Sequence, residues 1–375
     1  MAVAFTVDAP RSFEANPGLI AFQAKQTIDA ISVRVNGKEY RLVTLPKPTR
    51  RGTVGPFGLP PRELTVTVVG FHNGSPVGKA TASHVLGLPR AAGTTNRTTM
   101  TPPAAQARMR RLSKPPGSSA AWTVDLSSGR GASWNAGAKF SAASTAKLPI
   151  LITYLAQLKR DPVGAPGWGA LQSMIRASSN DAANEVLKAI GGGSVETGGA
   201  RVTALAHRLG AVHTDEAGGY LPNQDRKGLN PPVRVNDQPQ IKCCKIVTAH
   251  DLGLLMQEIV EAANGRGRAH AAGLTGRDAR VALWLLSNTD YPGLFEPWTK
   301  WIVAHKIGYI DVVWHDVAAV FEPSGTLITV ALTENAGGAS ESAASRFAHG
   351  VLQIAETGLA EPERTAPRRS VRSAG

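Results

Sequence analysis

A serine and a lysine stand three residues apart at the start of a long apolar run. Residues 140–149 read F-S-A-A-S-T-A-K-L-P, and the apolar residues that follow have helical periodicity. One helical turn separates Ser144 from Lys147, so the pattern predicts that the hydroxyl and the amine share a helix face. A serine nucleophile needs a base, and a lysine whose pKa is lowered by burial can be that base. Taken alone, the same pattern also fits a helix start with Ser144 as the cap and Lys147 in solvent.

Two later segments favour the catalytic interpretation. Residues 178–184 read S-S-N-D-A-A-N, and residues 305–309 read H-K-I-G-Y within a strand-like run. The order Ser-x-x-Lys, Ser-x-Asn, Lys-x-Gly is the three-part signature of the penicillin-recognising serine enzymes. On these motifs the second half of the chain resembles that superfamily, and class A β-lactamases in particular.

The resemblance extends to the predicted strands and helices. Residues 121–129 and 131–135 look like the first two strands of a class A enzyme, residues 315–321 and 326–332 look like its last two, and residues 340–357 resemble its terminal helix. The resemblance implies an α+β domain, in which a five-stranded antiparallel sheet is flanked by helices and joined to an all-helical half.

The beginning of the chain has the pattern of an all-β domain. Residues 29–35 and 63–71 alternate apolar and polar side chains, and turn signals follow at Asn36-Gly37 and at residues 72–74. This spacing predicts a small immunoglobulin-like sandwich. The predicted boundaries are an immunoglobulin-like domain at 1–88, a basic linker rich in Pro, Thr and Ala at 89–118 with a short helix near 103–112, a β-lactamase-like serine hydrolase domain at 119–358, and a disordered basic tail at 359–375.

The resemblance implies a role for each motif residue. Ser144 would be the acylated nucleophile, and Lys147 would relay its proton. Ser178 would carry a proton to the leaving nitrogen, while Asn180 would hold the substrate amide. Lys306 would attract a substrate carboxylate and lower the pKa of Lys147.

Further positions follow from the same resemblance. The backbone N–H groups of Ser144 and Tyr309 would form an oxyanion hole, because acyl transfer develops negative charge on the carbonyl oxygen. Ile307 and Gly308 would line the substrate site. No metal and no cofactor is expected, because the sequence has no Cys-x-x-Cys, His-Glu-x-x-His or Walker-type pattern.

Three departures from the class A pattern bear on the substrate. Ser179 stands where those enzymes have Asp, and Ile307 stands where they have Thr or Ser, so a hydrogen bond to the β-lactam carboxylate is lost. Glu216 lies at about the expected distance for the acid that activates the hydrolytic water, but the residues after it have the wrong spacing. Deacylation is therefore the step that the sequence supports least.

The sequence thus predicts a serine hydrolase of the β-lactamase-like class, which acts through an acyl-Ser144 intermediate on a β-lactam or a related amide or ester, with weak β-lactam turnover. Three alternatives stay open. They are a D-alanyl peptidase, an esterase or acyltransferase of a biosynthetic pathway, and a catalytically impaired binding or sensor protein.

Charge is unevenly distributed along the chain. Residues 1–118 carry +11 of the net charge of +13, and residues 119–358 sum to zero. This excess suits an anionic wall polymer or membrane surface, or solubility alone. Aromatic residues are not interleaved with the charges, so nucleic acid is not the expected partner. We also expect a monomer.

Residues 1–30 lack a signal-peptide pattern. This predicts a cytoplasmic protein if Met1 is the native start, and an extracellular or envelope protein if a leader has been removed.

Overall fold

The structure is a computed structural model that describes residues 5–90, 100–220 and 245–359. Its strands are β1 (Phe5–Ala9), β2 (Glu14–Asn16), β3 (Ile20–Val35), β4 (Lys38–Val54), β5 (Glu63–His72), β6 (Ser75–Gly87), β7 (Ser118–Asp125), β8 (Arg130–Trp134), β9 (Phe140–Ser141), β10 (Asp215–Glu216), β11 (Lys245–Val247), β12 (Ile302–Ile310), β13 (Val313–Glu322) and β14 (Gly325–Glu334). Its α-helices are α1 (Pro103–Arg111), α2 (Lys147–Gln157), α3 (Trp168–Ile175), α4 (Asn180–Gly191), α5 (Val195–Leu209), α6 (Ala249–Ala263), α7 (Gly267–Ala271), α8 (Gly276–Leu286) and α9 (Glu341–Gly358).

The N-terminal region is all-β, as the alternating pattern predicts. Its strands run in the order β1-β3-β5-β6-β2, and β4 pairs with β3. The first part of β3 pairs with β1 and the last part pairs with β5, so one long strand joins both sides of a common core. Aromatic and branched aliphatic side chains fill this core, including Phe5, Phe22 and Ile31.

Both predicted hairpin turns are present. Asn36 and Gly37 have φ values of 49° and 81°, and Asn73 and Gly74 have φ values of 49° and 75°. Two successive residues with positive φ define the tight turn that matches the twist of paired strands, and Asn followed by Gly is the pair that adopts it most easily. These two dipeptides therefore set the register of β3 with β4 and of β5 with β6.

A second sheet organises the C-terminal region. Its five strands are antiparallel in the order β12-β13-β14-β7-β8, which confirms the predicted five-stranded sheet. Helix α9 packs on one face through an apolar stripe that includes Phe347 and Val351. Helices α6 and α2 lie on the other side, and α2 is buried along nearly its whole length because its residues are apolar all round.

A small three-stranded sheet lies beside the nucleophile motif. Its order is β10-β11-β9, so residues 215–216 and 245–247 are brought next to residues 140–141. Strands β10 and β11 stand at the two ends of a long loop. Residues 221–244 of that loop lie outside the described residues.

Helix α1 belongs to the C-terminal region and is not a free linker helix. Its residues Ala105 and Met109 are fully buried, and they pack in the same apolar cluster as Phe347 of α9. Residues 103–111 fall within the predicted linker because their composition is rich in Arg. The apolar face of the helix is too narrow to be recognised from that composition. The predicted domain boundaries stay predictions. The tail, predicted to be disordered at 359–375, lies outside the described residues from residue 360 onward.

The two regions share a buried contact between β2 and α8. Ala15 and Leu88 join the apolar core of the C-terminal region. The carboxylate of Glu14 is fully buried, and its Oε2 lies 2.9 Å from Nη1 of Arg277 and 3.4 Å from Nε of Arg280. A buried carboxylate is costly unless it is paired with positive charges. Glu14 therefore requires both arginines of α8 at this contact.

Candidate active site

Ser144 lies in a short 3-10 helix (Ala143–Ala146) that connects β9 to α2, and Lys147 is the first residue of α2. This turn places the Lys147 Nζ 2.8 Å from the Ser144 Oγ. The spacing of the motif predicts this proximity. Lys147 is fully buried, so the alternative in which it projects into solvent does not hold.

The amine of Lys147 has four oxygen neighbours, of which Ser178 Oγ is the most distant at 3.4 Å. Besides Ser144 Oγ, it lies 2.7 Å from the carbonyl oxygen of Ser178 and 2.8 Å from Oδ1 of Asn180. A neutral amine has two N–H donors and one lone pair. If the two donors serve Ser178 and Asn180, which can only accept at those atoms, the lone pair faces the Ser144 hydroxyl. This arrangement suits the transfer of a proton from Ser144 to Lys147.

The electrostatic surroundings favour that neutral form. Burial lowers the pKa of Lys147 to about 7, and the positive charges of Lys306 and Lys245 act in the same direction, while Glu216 opposes them. A pKa near neutrality leaves a substantial fraction of the amine unprotonated and still basic, as a general base requires.

Ser178 and Lys306 complete the cluster. The Lys306 Nζ donates hydrogen bonds to Ser178 Oγ at 3.0 Å and to the carbonyl oxygen of Ile307 at 2.9 Å. Burial lowers the pKa of Lys306 to about 8, and the charge of Asp316 opposes this shift. Ser178 has a φ of 57°, a strained value for a serine that is common at functional positions.

Ser179, which departs from the class A motif, has a structural role here. Its side chain accepts a hydrogen bond from the backbone N–H of Ala182 at 3.2 Å and caps the N-terminus of α4. Serine is among the preferred caps. The cap fixes the start of the helix, and thereby the position of Asn180.

Strand β12 approaches the nucleophile at Gly308. A Cβ atom on Gly308 would lie 2.8 Å from the backbone nitrogen of Thr145 and 3.0 Å from that of Ser144. Only glycine permits so close an approach. Tyr309 follows on the same edge strand, and its backbone role in an oxyanion hole stays a prediction. The side chain of Ile307 is 3% exposed and offers no hydroxyl.

Glu216 lies in β10 and is bound by a lysine that sequence reasoning missed. Its Oε1 is 2.6 Å from the Nζ of Lys245 on the neighbouring strand β11. Burial raises the pKa of Glu216 to about 7, against the influence of Lys245. The Lys245 Nζ also donates to the carbonyl oxygens of Gly218 and Gly219. The carboxylate is thus paired with Lys245, and the role of Glu216 as the acid that activates the hydrolytic water stays a prediction.

Two further residues were missed by the sequence reasoning. Asn184 accepts a hydrogen bond from the backbone N–H of Tyr220 at 2.7 Å and donates one to its carbonyl oxygen at 3.2 Å. The ring of Tyr220 lies against two amines, with its centroid 4.5 Å from the Nζ of Lys147 and 4.6 Å from that of Lys245. Asn184 is one helical turn beyond Asn180 on α4, and this spacing is the signal that could have identified it.

In residues 5–90, 100–220 and 245–359 no group of three or more His, Cys, Asp or Glu side chains could hold a metal ion. Within the same ranges, no helix has the length and apolar character needed to cross a bilayer.

Comparisons with known proteins show the family of the chain. The model of the beta-lactamase enzyme family matches residues 103–165 and 159–354, which is more than half of the sequence, and the chain belongs to that family. The match begins at α1, which agrees with the packing of that helix on α9. No curated protein matches the chain.

Solved structures share the fold at low sequence identity. PBP-A has a TM-score of 0.52 and 19% identity, with 71% of this chain and 99% of that chain covered. A PBP-A variant in an acyl-enzyme complex with penicillin G has a TM-score of 0.51 and 20% identity, covering 68% and 96%. A beta-lactamase from Desulfarculus baarsii has a TM-score of 0.51 and 18% identity, covering 69% and 98%. The chain therefore has the fold of the β-lactamase and penicillin-binding serine hydrolases.

Proposed function

We propose that the protein is a serine hydrolase that forms an acyl-Ser144 intermediate with a β-lactam or a related amide or ester, and that it releases the acyl group slowly. The observation that carries the proposal is the buried amine of Lys147, which lies 2.8 Å from the Ser144 Oγ and has a pKa lowered to about 7. A binding or sensor protein without chemistry has no need for a buried lysine held in this state.

In the proposed acylation, neutral Lys147 takes the proton of Ser144 as the Oγ attacks the carbonyl carbon. The backbone N–H groups of Ser144 and Tyr309 stabilise the oxyanion. Ser178 then passes a proton to the leaving nitrogen and regains one from the ammonium of Lys147, whose Nζ lies 3.4 Å from its Oγ, so Lys147 is neutral again in the acyl-enzyme. The hydrogen bond from Lys306 to Ser178 at 3.0 Å supports that transfer. The charge of Lys306 also attracts an anionic group of the substrate.

Slow release of the acyl group follows from the residues around Ser144 and Lys147. Glu216, the candidate base for the hydrolytic water, is paired with Lys245 at 2.6 Å. Ile307 has no hydroxyl to align the substrate carboxylate. Acylation thus has a well-placed base in Lys147, whereas the acid that would activate the hydrolytic water is held by Lys245.

A burst experiment tests the proposal. Mixing the protein with excess of a chromogenic cephalosporin in a stopped-flow instrument should give a burst of one equivalent, followed by a much slower steady rate. The Ser144→Ala variant should give neither phase. Rapid linear turnover without a burst would contradict slow release, and the absence of any burst would contradict acylation by this class of substrate.

A further inference from the structure

The ring of Tyr220 lies against the catalytic amine, with its centroid 4.5 Å from the Lys147 Nζ. Among the residues that the structure describes, the same nitrogen also faces four oxygen atoms, which belong to Ser144, Ser178 and Asn180. A water molecule that needs Lys147 as its base must therefore displace the ring or one of these oxygen atoms.

The ring is held in place by the backbone that carries it. Asn184 bonds both the N–H and the C=O of Tyr220, and Lys245 binds the carbonyl oxygens of Gly218 and Gly219 at 2.7 and 3.2 Å. A Cβ on Gly219 would lie 2.3 Å from Cγ1 of Val195, so the backbone at Gly219 is tightly packed against α5. The aromatic face also attracts the ammonium group of Lys245, whose Nζ lies 4.6 Å from the ring centroid, which adds to the restraint.

We propose that Tyr220 is a positioning residue that keeps water away from Lys147 and thereby lengthens the lifetime of the acyl-Ser144 intermediate. This inference rests on the proposed function, because it concerns the breakdown of the intermediate that the proposed function forms. Asn184 acts through Tyr220, since it fixes the backbone from which the ring projects.

The reaction that the ring hinders is hydrolysis of the ester. The water oxygen bonds to the acyl carbon, and one water proton passes to neutral Lys147. The bond between the acyl carbon and Ser144 Oγ then breaks, and Ser144 takes the proton back from Lys147. The products are the free acid and the original enzyme, so Lys147 ends the cycle unprotonated. The first of these steps needs water within reach of Lys147, and the ring hinders that approach.

The test compares acylation and deacylation in four variants of the full-length protein. A fluorescent penicillin is the probe, and gel fluorescence follows labelling and, after removal of free probe, loss of label. Tyr220→Ala should shorten the lifetime of the label by about 100-fold, the lower end of what a positioned base contributes to proton transfer, with a much smaller change in the labelling rate. Tyr220→Phe keeps the ring and should restore the long lifetime. Tyr40→Ala, which removes a tyrosine of β4 in the N-terminal region, is the matched control.

The Asn184→Ala variant tests the same inference independently. It leaves the ring intact but releases its backbone, so it should also shorten the lifetime, and its effect should not add to that of Tyr220→Ala. Equal lifetimes in the unmodified protein, Tyr220→Ala and Asn184→Ala would overturn the inference while leaving the proposed function standing. Absence of label on the unmodified protein would instead overturn the proposed function, and with it this inference.

Discussion

Two buried lysines define the chemistry at the scale of single residues. Lys147 and Lys306 are 0% and 1% exposed, although an ammonium group is costly to remove from water. Each is compensated by oxygen acceptors, and each has a pKa below its ordinary value because of burial. The two amines differ in what the reaction asks of them. Lys147 must be neutral to accept a proton, and Lys306 must be charged to attract a carboxylate.

These opposite requirements predict a bell-shaped pH profile for acylation. The neutral fraction of Lys147 rises with pH through about 7, and the charged fraction of Lys306 falls through about 8. The single-turnover rate of labelling by a fluorescent penicillin should therefore have its maximum between these values. A rate that stays flat from about pH 6 to about pH 9 would contradict the assignment of these two roles.

A variant separates the two limbs of that profile. Lys306→Met should lose the falling limb, because the titrating amine is gone. Its rising limb should move to higher pH, because the charge of Lys306 is one of the causes that lower the pKa of Lys147. A rising limb that moves to lower pH would be inconsistent with this coupling.

At the scale of secondary-structure elements, the site depends on the close contact between strand β12 and the nucleophile turn. Gly308→Ala would place a Cβ 2.8 Å from the Thr145 nitrogen and 3.0 Å from the Ser144 nitrogen, so β12 or the turn must shift. We expect the labelling rate to fall by at least about tenfold, since a misplacement of about 1 Å at a reacting centre is costly. The far-ultraviolet circular dichroism spectrum should stay unchanged.

Gly169→Ala is the matched control for this change. Gly169 lies in α3, and no atom lies within 4 Å of the Cβ position that the substitution would fill. Labelling should be unaffected there, and helix propensity should rise slightly. If Gly308→Ala labels as fast as this control, the close approach of β12 is not required for acylation.

The elements that the sequence predicts well are those with strong local signals. The Asn-Gly turns, the alternation of β3 and β5, and the apolar period of α2 each lie within a short window. The pairing of Glu216 with Lys245 could not be predicted in this way, because it joins strands that are distant in the sequence and follow no short motif. The cover that Tyr220 forms over Lys147 depends on the same long-range pairing. The packing of helix α1 could not be predicted from composition, because residues 89–118 are rich in Ala, Thr, Pro and Arg and only two side chains of the helix are buried.

At the scale of the whole molecule, the N-terminal region is a structural partner of the catalytic region. The buried Glu14 carboxylate receives both Arg277 and Arg280 of α8. Phe13 stacks on His84 and meets Trp168 and Trp284 edge-on. Contacts of this kind couple the folding of the two regions, so an independent basic module is not what the structure favours. Binding of the basic surface to an anionic polymer stays a prediction.

Removal of the central arginine tests this coupling. Arg277→Ala leaves a fully buried carboxylate with fewer partners, and we expect the free energy of unfolding to fall by about 3 kcal/mol. Arg41→Ala, on exposed β4, should change it by less than about 0.5 kcal/mol. Urea unfolding followed by tryptophan fluorescence measures both values. Equal stability of the two variants would show that the contact between β2 and α8 contributes little.

The central claim is that Lys147 activates Ser144 for acylation, and intact-protein mass spectrometry after exposure to penicillin G tests it most directly. The unmodified protein should gain the mass of one intact penicillin, and peptide mapping should locate it on Ser144. Lys147→Met keeps the apolar stem but removes the base, so it should stay folded and unlabelled, whereas Lys159→Met, which alters an exposed lysine just beyond the end of α2, should label normally. Labelling of Lys147→Met at the rate of the unmodified protein, or a label on any residue other than Ser144, would contradict the account.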